Sequence, residues 1–88
     1  MLRFLLDEHL RGPLWLAIVR HNSRGGMPIN ATRVGDDSEL PLGSDDSAIL
    51  LWAEREGRIL VTEDVHTMPG HLANHLNSGH HSPGVFIV

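Results

Sequence analysis

The sequence predicts a single α/β domain with three layers, in which helices cover both faces of a short, mostly parallel sheet. The chain has 88 residues, which is too few for two ordinary domains. Short apolar runs of strand length alternate with segments whose apolar residues recur at helical spacing, in the order β-α-β-α-β-α-β. Such alternation is typical of right-handed crossovers between parallel strands.

In the first half of the chain, two strands joined by a helix are predicted. Residues 2–6 (LRFLL) are almost continuously apolar and indicate a buried strand. A helix is expected over about 11–22, where Pro13 is tolerated in the first turn. After a break rich in glycine, residues 29–34 (INATRV) indicate a short strand near the sheet edge.

The second half is predicted to add two helices and two strands. Residues 35–44 form a loop by composition, and Ser44 is expected to cap a helix that stops at Gly57. A strand, a weaker helix and a last strand follow: 58–62 (RILVT), 69–77 and 84–88 (GVFIV). No helix covers the last strand, so we expect either that the domain over 1–88 lacks its C-terminal end or that this strand packs against something else.

Residue counts exclude several classes of protein. The absence of cysteine excludes disulfides, zinc-thiolate sites and thiol nucleophiles. All seven basic residues are arginines, which excludes the lysine chemistry of P-loops, Schiff bases and receiver-like phospho-acceptor domains. Neither a membrane span nor a targeting segment is expected, because Asp7 and Glu8 interrupt the N-terminal apolar run. We therefore expect a cytoplasmic protein.

Three pairs of acidic residues are predicted to meet at the carboxyl edge of the sheet, where open parallel sheets bind ligands. The pairs follow the first strand, open the second helix and follow the third strand: Asp7-Glu8, Asp45-Asp46 and Glu63-Asp64. Gathered carboxylates repel one another unless a cation compensates, and oxygen ligands suit Mg²⁺ or Mn²⁺. The alternative for each pair is a solvated strand end or a favourable place at a helix start.

The net charge of −4 argues against a nucleic-acid binder that relies on a basic surface. Without the acids at that edge, however, the rest of the chain is close to neutral and carries seven arginines, which suit phosphate contacts. Four of those in the first half either hold an RNA backbone or are simply solvated: Arg11, Arg20, Arg24 and Arg33.

Three segments resemble, in order and spacing, the small PIN-like proteins related to the PIN-domain toxin nucleases: RFLLDEHL, SDDSAILLWAEREGRILVTED and PGVFIV. The shared features are a first strand ending in Asp-Glu-x-Leu, Asp-x-x-Ile ahead of a helix, and Gly-Arg-(apolar)₃-Thr-x-Asp. The resemblance covers nearly the whole chain, with little from 23–43. It implies a PIN-like fold and a metal-dependent ribonuclease, often the toxin of a toxin–antitoxin pair with a cognate antitoxin protein as partner.

The resemblance also implies roles for individual residues. Three carboxylates would hold a Mg²⁺ or Mn²⁺ ion whose bound water attacks an RNA phosphodiester: Asp7, Asp46 and Asp64. Glu8 would be an outer ligand, and Thr62 would supply the accompanying hydroxyl. Arg11 is the arginine expected to bind the substrate.

His66 stands where such proteins carry a further acid. This departure favours a second hypothesis, in which the fold has lost its catalysis and docks a protein partner. Trp15, Leu51 and Trp52 are then either apolar anchors or core residues. The small core and the uncovered last strand also predict a homodimer.

Seven histidines are many for this length, and His71 and His75 lie one turn apart on the predicted third helix. Three interpretations are open: a solvated helix face, a supporting role for His66 beside the acids, or a transition-metal site. The zinc-protease motif is excluded, because no glutamate lies between His71 and His75.

Overall fold

Four β-strands and three α-helices form the part of the chain that the computed structural model describes, residues 2–10 and 12–88. They are, in chain order, β1 (Arg3–Leu6), α1 (Pro13–Ser23), β2 (Asn30–Arg33), α2 (Asp46–Glu56), β3 (Ile59–Thr62), α3 (Met68–Asn77) and β4 (Val85–Ile87). A 3₁₀ turn at Glu8–Leu10, which the sequence does not predict, separates β1 from α1. The predicted α/β class is confirmed.

The sheet has the order β2-β1-β3-β4, and all its strand pairs are parallel. The prediction that the second strand lies at the sheet edge is therefore confirmed. The connections from β1 to β2 and from β2 to β3 run in opposite directions across the sheet. Right-handed crossovers then leave α1 on one face and α2 with α3 on the other, which is compatible with three layers.

The core lies mainly between the sheet and the face covered by α2 and α3. Its buried residues come from both central strands, from both helices and from the loop before α2: Leu5, Val34, Leu40, Ile49, Leu50, Trp52, Ala53, Leu60 and Met68. The opposite face is thinner, because Ile18 is the buried residue of α1 while Leu16 and Val19 remain exposed.

Helix α2 begins one residue later than predicted. Asp45 caps the helix, since its Oδ1 accepts a hydrogen bond from the Ala48 N–H at 2.8 Å. The prediction of a Ser44 cap is wrong, because the Ser44 hydroxyl donates instead to the Pro41 carbonyl at 2.6 Å. The helix stops at Gly57, as predicted, with a left-handed φ of 65°.

The other two helices are also shifted slightly from their predicted ranges. The helix expected over 11–22 runs over Pro13–Ser23, and the one expected over 69–77 begins at Met68. The predicted substrate-binding Arg11 lies outside the described residues. Within them, no helix has the length and apolar character needed to cross a membrane.

Candidate functional site

A cleft of about 610 Å³ opens at the carboxyl edge of the sheet. Five carboxylates from three separate segments line it: Asp7, Glu8, Asp45, Asp46 and Asp64. The other titratable lining residues in the described part of the chain are His9 and His71, and no arginine there lines the cleft. The fold thus brings together five of the six acids predicted to meet, whereas Glu63 does not line the cleft.

Asp7 is held at the end of β1 by two hydrogen bonds. Its Oδ2 accepts from the Thr62 hydroxyl at 2.9 Å, and its Oδ1 accepts from the Glu8 N–H at 2.7 Å. Both partners of the hydroxyl bond are buried, since Asp7 is 7% exposed and Thr62 is 0% exposed. The carboxylate is therefore fixed between the ends of two neighbouring strands.

Asp64 is bonded to the turn that leads into α3. Its Oδ1 accepts from the backbone N–H groups of His66 at 3.1 Å and Thr67 at 2.9 Å, and its Oδ2 accepts from the Thr67 hydroxyl. These bonds, the Thr67 hydroxyl first, hold the pKa of Asp64 below its ordinary value. Thr67 could not be singled out by sequence reasoning, because its role appears only when the turn is formed.

Asp46 and His71 join the first turns of α2 and α3 across the cleft wall. His71 Nε2 lies 3.1 Å from Asp46 Oδ2, and both side chains are partly exposed. The interpretation of a solvated helix face is wrong for His75, which is buried. His71 is partly exposed and faces an acid of the neighbouring helix.

Glu8 connects the 3₁₀ turn to the loop before α2. Its Oε1 accepts a hydrogen bond from the Gly43 N–H at 3.2 Å. His66 is exposed, and its backbone N–H donates to Asp64. Its charge is the smallest of the effects that lower the pKa of that carboxyl. The side chain of His66 does not line the cleft.

Arg33 is already engaged within the protein. It forms an ion pair with Asp36 at 2.8 Å, and its guanidinium lies 4.2 Å from the centre of the Trp15 ring. This pairing leaves the Arg33 guanidinium less available for an RNA backbone than the sequence suggested.

A second polar cluster lies between α2, α3 and the loop before β4. His75 Nε2 is 2.7 Å from the His81 carbonyl and 3.2 Å from Glu54 Oε1, so this nitrogen carries the proton that both acceptors share. The ring of His80 stacks on that of His75, with centroids 4.9 Å apart. A hydrogen bond from the His81 N–H lowers the pKa of Glu54. The cluster ties the two helices to the loop.

The acidic cleft suits a hard divalent cation by the chemistry of its side-chain donors, which are carboxylate and serine oxygens apart from the two histidines. Within 2–10 and 12–88, however, no three His, Asp or Glu side chains are spaced as ligands of one ion. Mg²⁺ is commonly held by one or two carboxylates, with water and substrate phosphates completing its coordination. Such a site fits the cleft better than a preformed centre of three carboxylates.

No known protein family, curated protein or solved structure matches this chain. The likeness to PIN-like proteins therefore rests on the sequence motifs, and the activity that the likeness implies remains a prediction.

Proposed function

We propose that this protein is a metal-dependent ribonuclease of PIN-like type that uses Mg²⁺ or Mn²⁺ in the acidic cleft. The observation that carries the proposal is the convergence of five carboxylates at the carboxyl edge of a parallel sheet, without a lining arginine among the described residues. Such a concentration of negative charge attracts a divalent cation, and a loose set of oxygen donors favours these two ions.

In this proposal Asp7 and Asp46 hold the ion directly, and Glu8 contributes from an outer shell. Asp64 also acts from that shell through water, because its two oxygens accept three hydrogen bonds from the turn into α3. Among the described residues, each Asp7 oxygen accepts only one hydrogen bond and keeps a lone pair for the ion. The Thr62 hydroxyl at the end of β3 fixes the orientation of the Asp7 carboxylate. His71 and Asp46 form a pair in the absence of the cation. A cation that binds to Asp46 must therefore displace the His71 imidazole.

When bound, the ion supplies an activated water and stabilises the charge that develops on the phosphodiester. The protein's part is to hold its carboxylates rigidly beside that phosphate. Arg20, on the exposed side of α1, and Arg24, directly after that helix, are the arginines proposed to steer an RNA backbone, together with the predicted Arg11 contact. A cognate antitoxin and a homodimer remain part of the proposal on the grounds of the resemblance and the small core.

A docking module without catalysis is the second candidate function. It is favoured by the engagement of Asp64, whose carboxylate accepts three hydrogen bonds from Thr67 and His66 in forming a turn. Of the three expected anchors, Trp52 is buried in the core and Trp15 lies under Arg33, which leaves Leu51, 44% exposed, as the anchor.

The two candidates are separated by incubating end-labelled single-stranded RNA with the protein and Mn²⁺. We expect cleavage by the wild type and its loss in Asp7→Asn, which keeps a side-chain acceptor for Thr62 but removes the charge. Glu63→Gln is the matched control, because it removes a neighbouring carboxylate that does not line the cleft. Mn²⁺ binding without cleavage by the wild type supports the docking module, and cleavage retained in Asp7→Asn contradicts the ribonuclease proposal.

A further inference from the structure

The amino edge of the sheet, opposite the acidic cleft, carries two arginines side by side. Arg3 opens β1 and Arg58 directly precedes β3, and because Phe4 is in register with Ile59 the two arginines lie level on neighbouring strands. Neighbouring strands are about 4.8 Å apart, and level residues project to the same face. Asn30 of β2 is level with Arg3 on its other side. The three side chains therefore form one row.

Arg58 reaches across the amino end of β1 within this row. Its Nη1 donates to the Phe4 carbonyl and to Asn30 Oδ1, both at 3.0 Å. Its Nε is covered by protein and has no hydrogen-bond partner. Burial, followed by the like charge of Arg3, lowers the pKa of Arg58. The guanidinium is thus partly desolvated beside a second cation.

Arg3 has even fewer partners. Its Nε is also covered and unpaired, and its side chain makes no hydrogen bond or ion pair with the rest of residues 2–10 and 12–88. Glu56 is the carboxylate whose negative charge partly offsets the lowered pKa of Arg58. Its Oε2 lies 3.3 Å from the Arg55 Nε. That carboxylate is shared with another cation, so the row has an excess of positive charge.

We propose that Arg3 and Arg58 form a binding site for a phosphoryl oxyanion. Guanidinium groups match the oxygens of phosphate in a planar fork, and an anion between two of them offsets the repulsion that the row now carries. Asn30 adds a neutral donor, because its Oδ1 accepts from Arg58 and its amide NH₂ remains for the ligand. Both free phosphate and the phosphates of an RNA backbone have this chemistry.

The oxyanion site is separate from the acidic cleft and does not depend on the proposed nuclease activity. The strands between the two edges are four residues long in β1 and β3, which corresponds to about 10 Å at about 3.3 Å per residue. Asp7→Asn should therefore leave oxyanion binding intact, whereas it removes the proposed cation. Failure of one site can thus be told from failure of the other.

The test is a titration of the full chain with inorganic phosphate at constant ionic strength, followed by the NMR shifts of the amides of residues 3, 30 and 58. Arg3→Gln is the informative variant, because Arg3 makes no side-chain hydrogen bond on which folding depends. Arg33→Gln is the matched control, since Arg33 lies at the opposite edge of the sheet and is already paired with Asp36. We expect saturable binding by the wild type and the control, and binding weakened about tenfold or more in Arg3→Gln.

The source of the phosphate is distinguished by fluorescence anisotropy with a labelled oligouridylate, measured without divalent cations. Weaker RNA binding by Arg3→Gln than by Arg33→Gln assigns the site to an RNA backbone. Loss of inorganic phosphate binding with unchanged RNA affinity assigns it to free phosphate. Shifts that do not saturate, or equal phosphate affinity in the wild type and Arg3→Gln, overturn the proposal.

Discussion

The buried hydroxyl of Thr62 connects the ends of two neighbouring strands by donating a hydrogen bond to the Asp7 carboxylate at 2.9 Å. The same oxygen accepts a bond from the Asp64 N–H at 3.2 Å. One side chain thereby fixes both the orientation of the Asp7 carboxylate and the path of the backbone at Asp64. The geometry of the acidic cleft depends on this residue as well as on the acids that line it.

Replacing Thr62 by valine is expected to lower the free energy of unfolding by about 1–3 kcal/mol, because the substitution leaves the buried Asp7 oxygen and the Asp64 N–H without this partner. It should also weaken Mn²⁺ binding. Thr62→Ser is the control, since it keeps the hydroxyl and should keep the Mn²⁺ affinity of the wild type. Urea unfolding and calorimetry measure the two effects. Equal Mn²⁺ affinity in both variants would show that the hydroxyl does not position Asp7.

His71→Gln is expected to tighten Mn²⁺ binding severalfold. In the wild type, His71 Nε2 lies 3.1 Å from Asp46 Oδ2, so a cation must displace the imidazole before it contacts that oxygen. A competing internal partner reduces the apparent affinity of the ligand. Calorimetric titration at one pH checks this prediction, with Asn74→Gln, an exposed change on the same helix, as control. Unchanged or weaker Mn²⁺ binding by His71→Gln would mean that His71 supports the cation site instead.

Glu54 should stabilise the protein near neutral pH and lose this effect in acid. Its pKa is lowered in the folded state, mainly by the His81 N–H, so the folded protein favours the charged carboxylate. The stabilisation is present above the pKa of the unfolded chain and disappears as the pH falls through the lower folded-state pKa. Glu54→Gln should therefore be less stable than the wild type at pH 7, and the difference should shrink toward pH 3, as followed by urea unfolding. A difference that grows in acid would contradict this assignment.

Two glycines in open surroundings should respond to alanine in opposite ways. A Cβ at Gly57 or Gly70 would meet no atom within 4 Å, so backbone conformation alone decides the effect. Gly57 has a φ of +65°, and Gly57→Ala should lower the free energy of unfolding by about 1 kcal/mol. Gly70 lies inside α3, and Gly70→Ala should raise it by about 0.5–1 kcal/mol. Thermal unfolding of both variants measures the contrast, and shifts of the same sign would contradict it.

The elements of the fold could be predicted because they follow from local patterns. The continuous apolar runs at β1 and β3 and the glycine at the end of α2 fix their positions within a residue or two. The convergence of acids also follows from chain order, since parallel strands place their carboxyl ends at one edge. The Ser44 cap was wrong because Ser44 and Asp45 have similar capping chemistry, and only the helix phase selects between them.

The pairing of the histidines could not be predicted, because it depends on how two helices pack. His75 is buried against Glu54, which is 21 positions earlier in the chain, and the sequence of α3 alone resembles a solvated surface. The row of Arg3 and Arg58 could not be predicted from the sequence for a related reason. Its members come from two strands that become neighbours only in the folded sheet.

Paramagnetic broadening of amide NMR signals by substoichiometric Mn²⁺ tests the cation site most directly, because it locates the ion without requiring activity. Amides of residues 7, 8, 45, 46 and 64 are expected to broaden at the lowest Mn²⁺ concentration, and those of residues 3 and 58 at the opposite edge only at higher concentration. Asp7→Asn should reduce this effect and Glu63→Gln should not. Broadening centred on the cluster of Glu54, His75 and His80, or none at the acidic cleft, would contradict a cation site formed by Asp7 and Asp46.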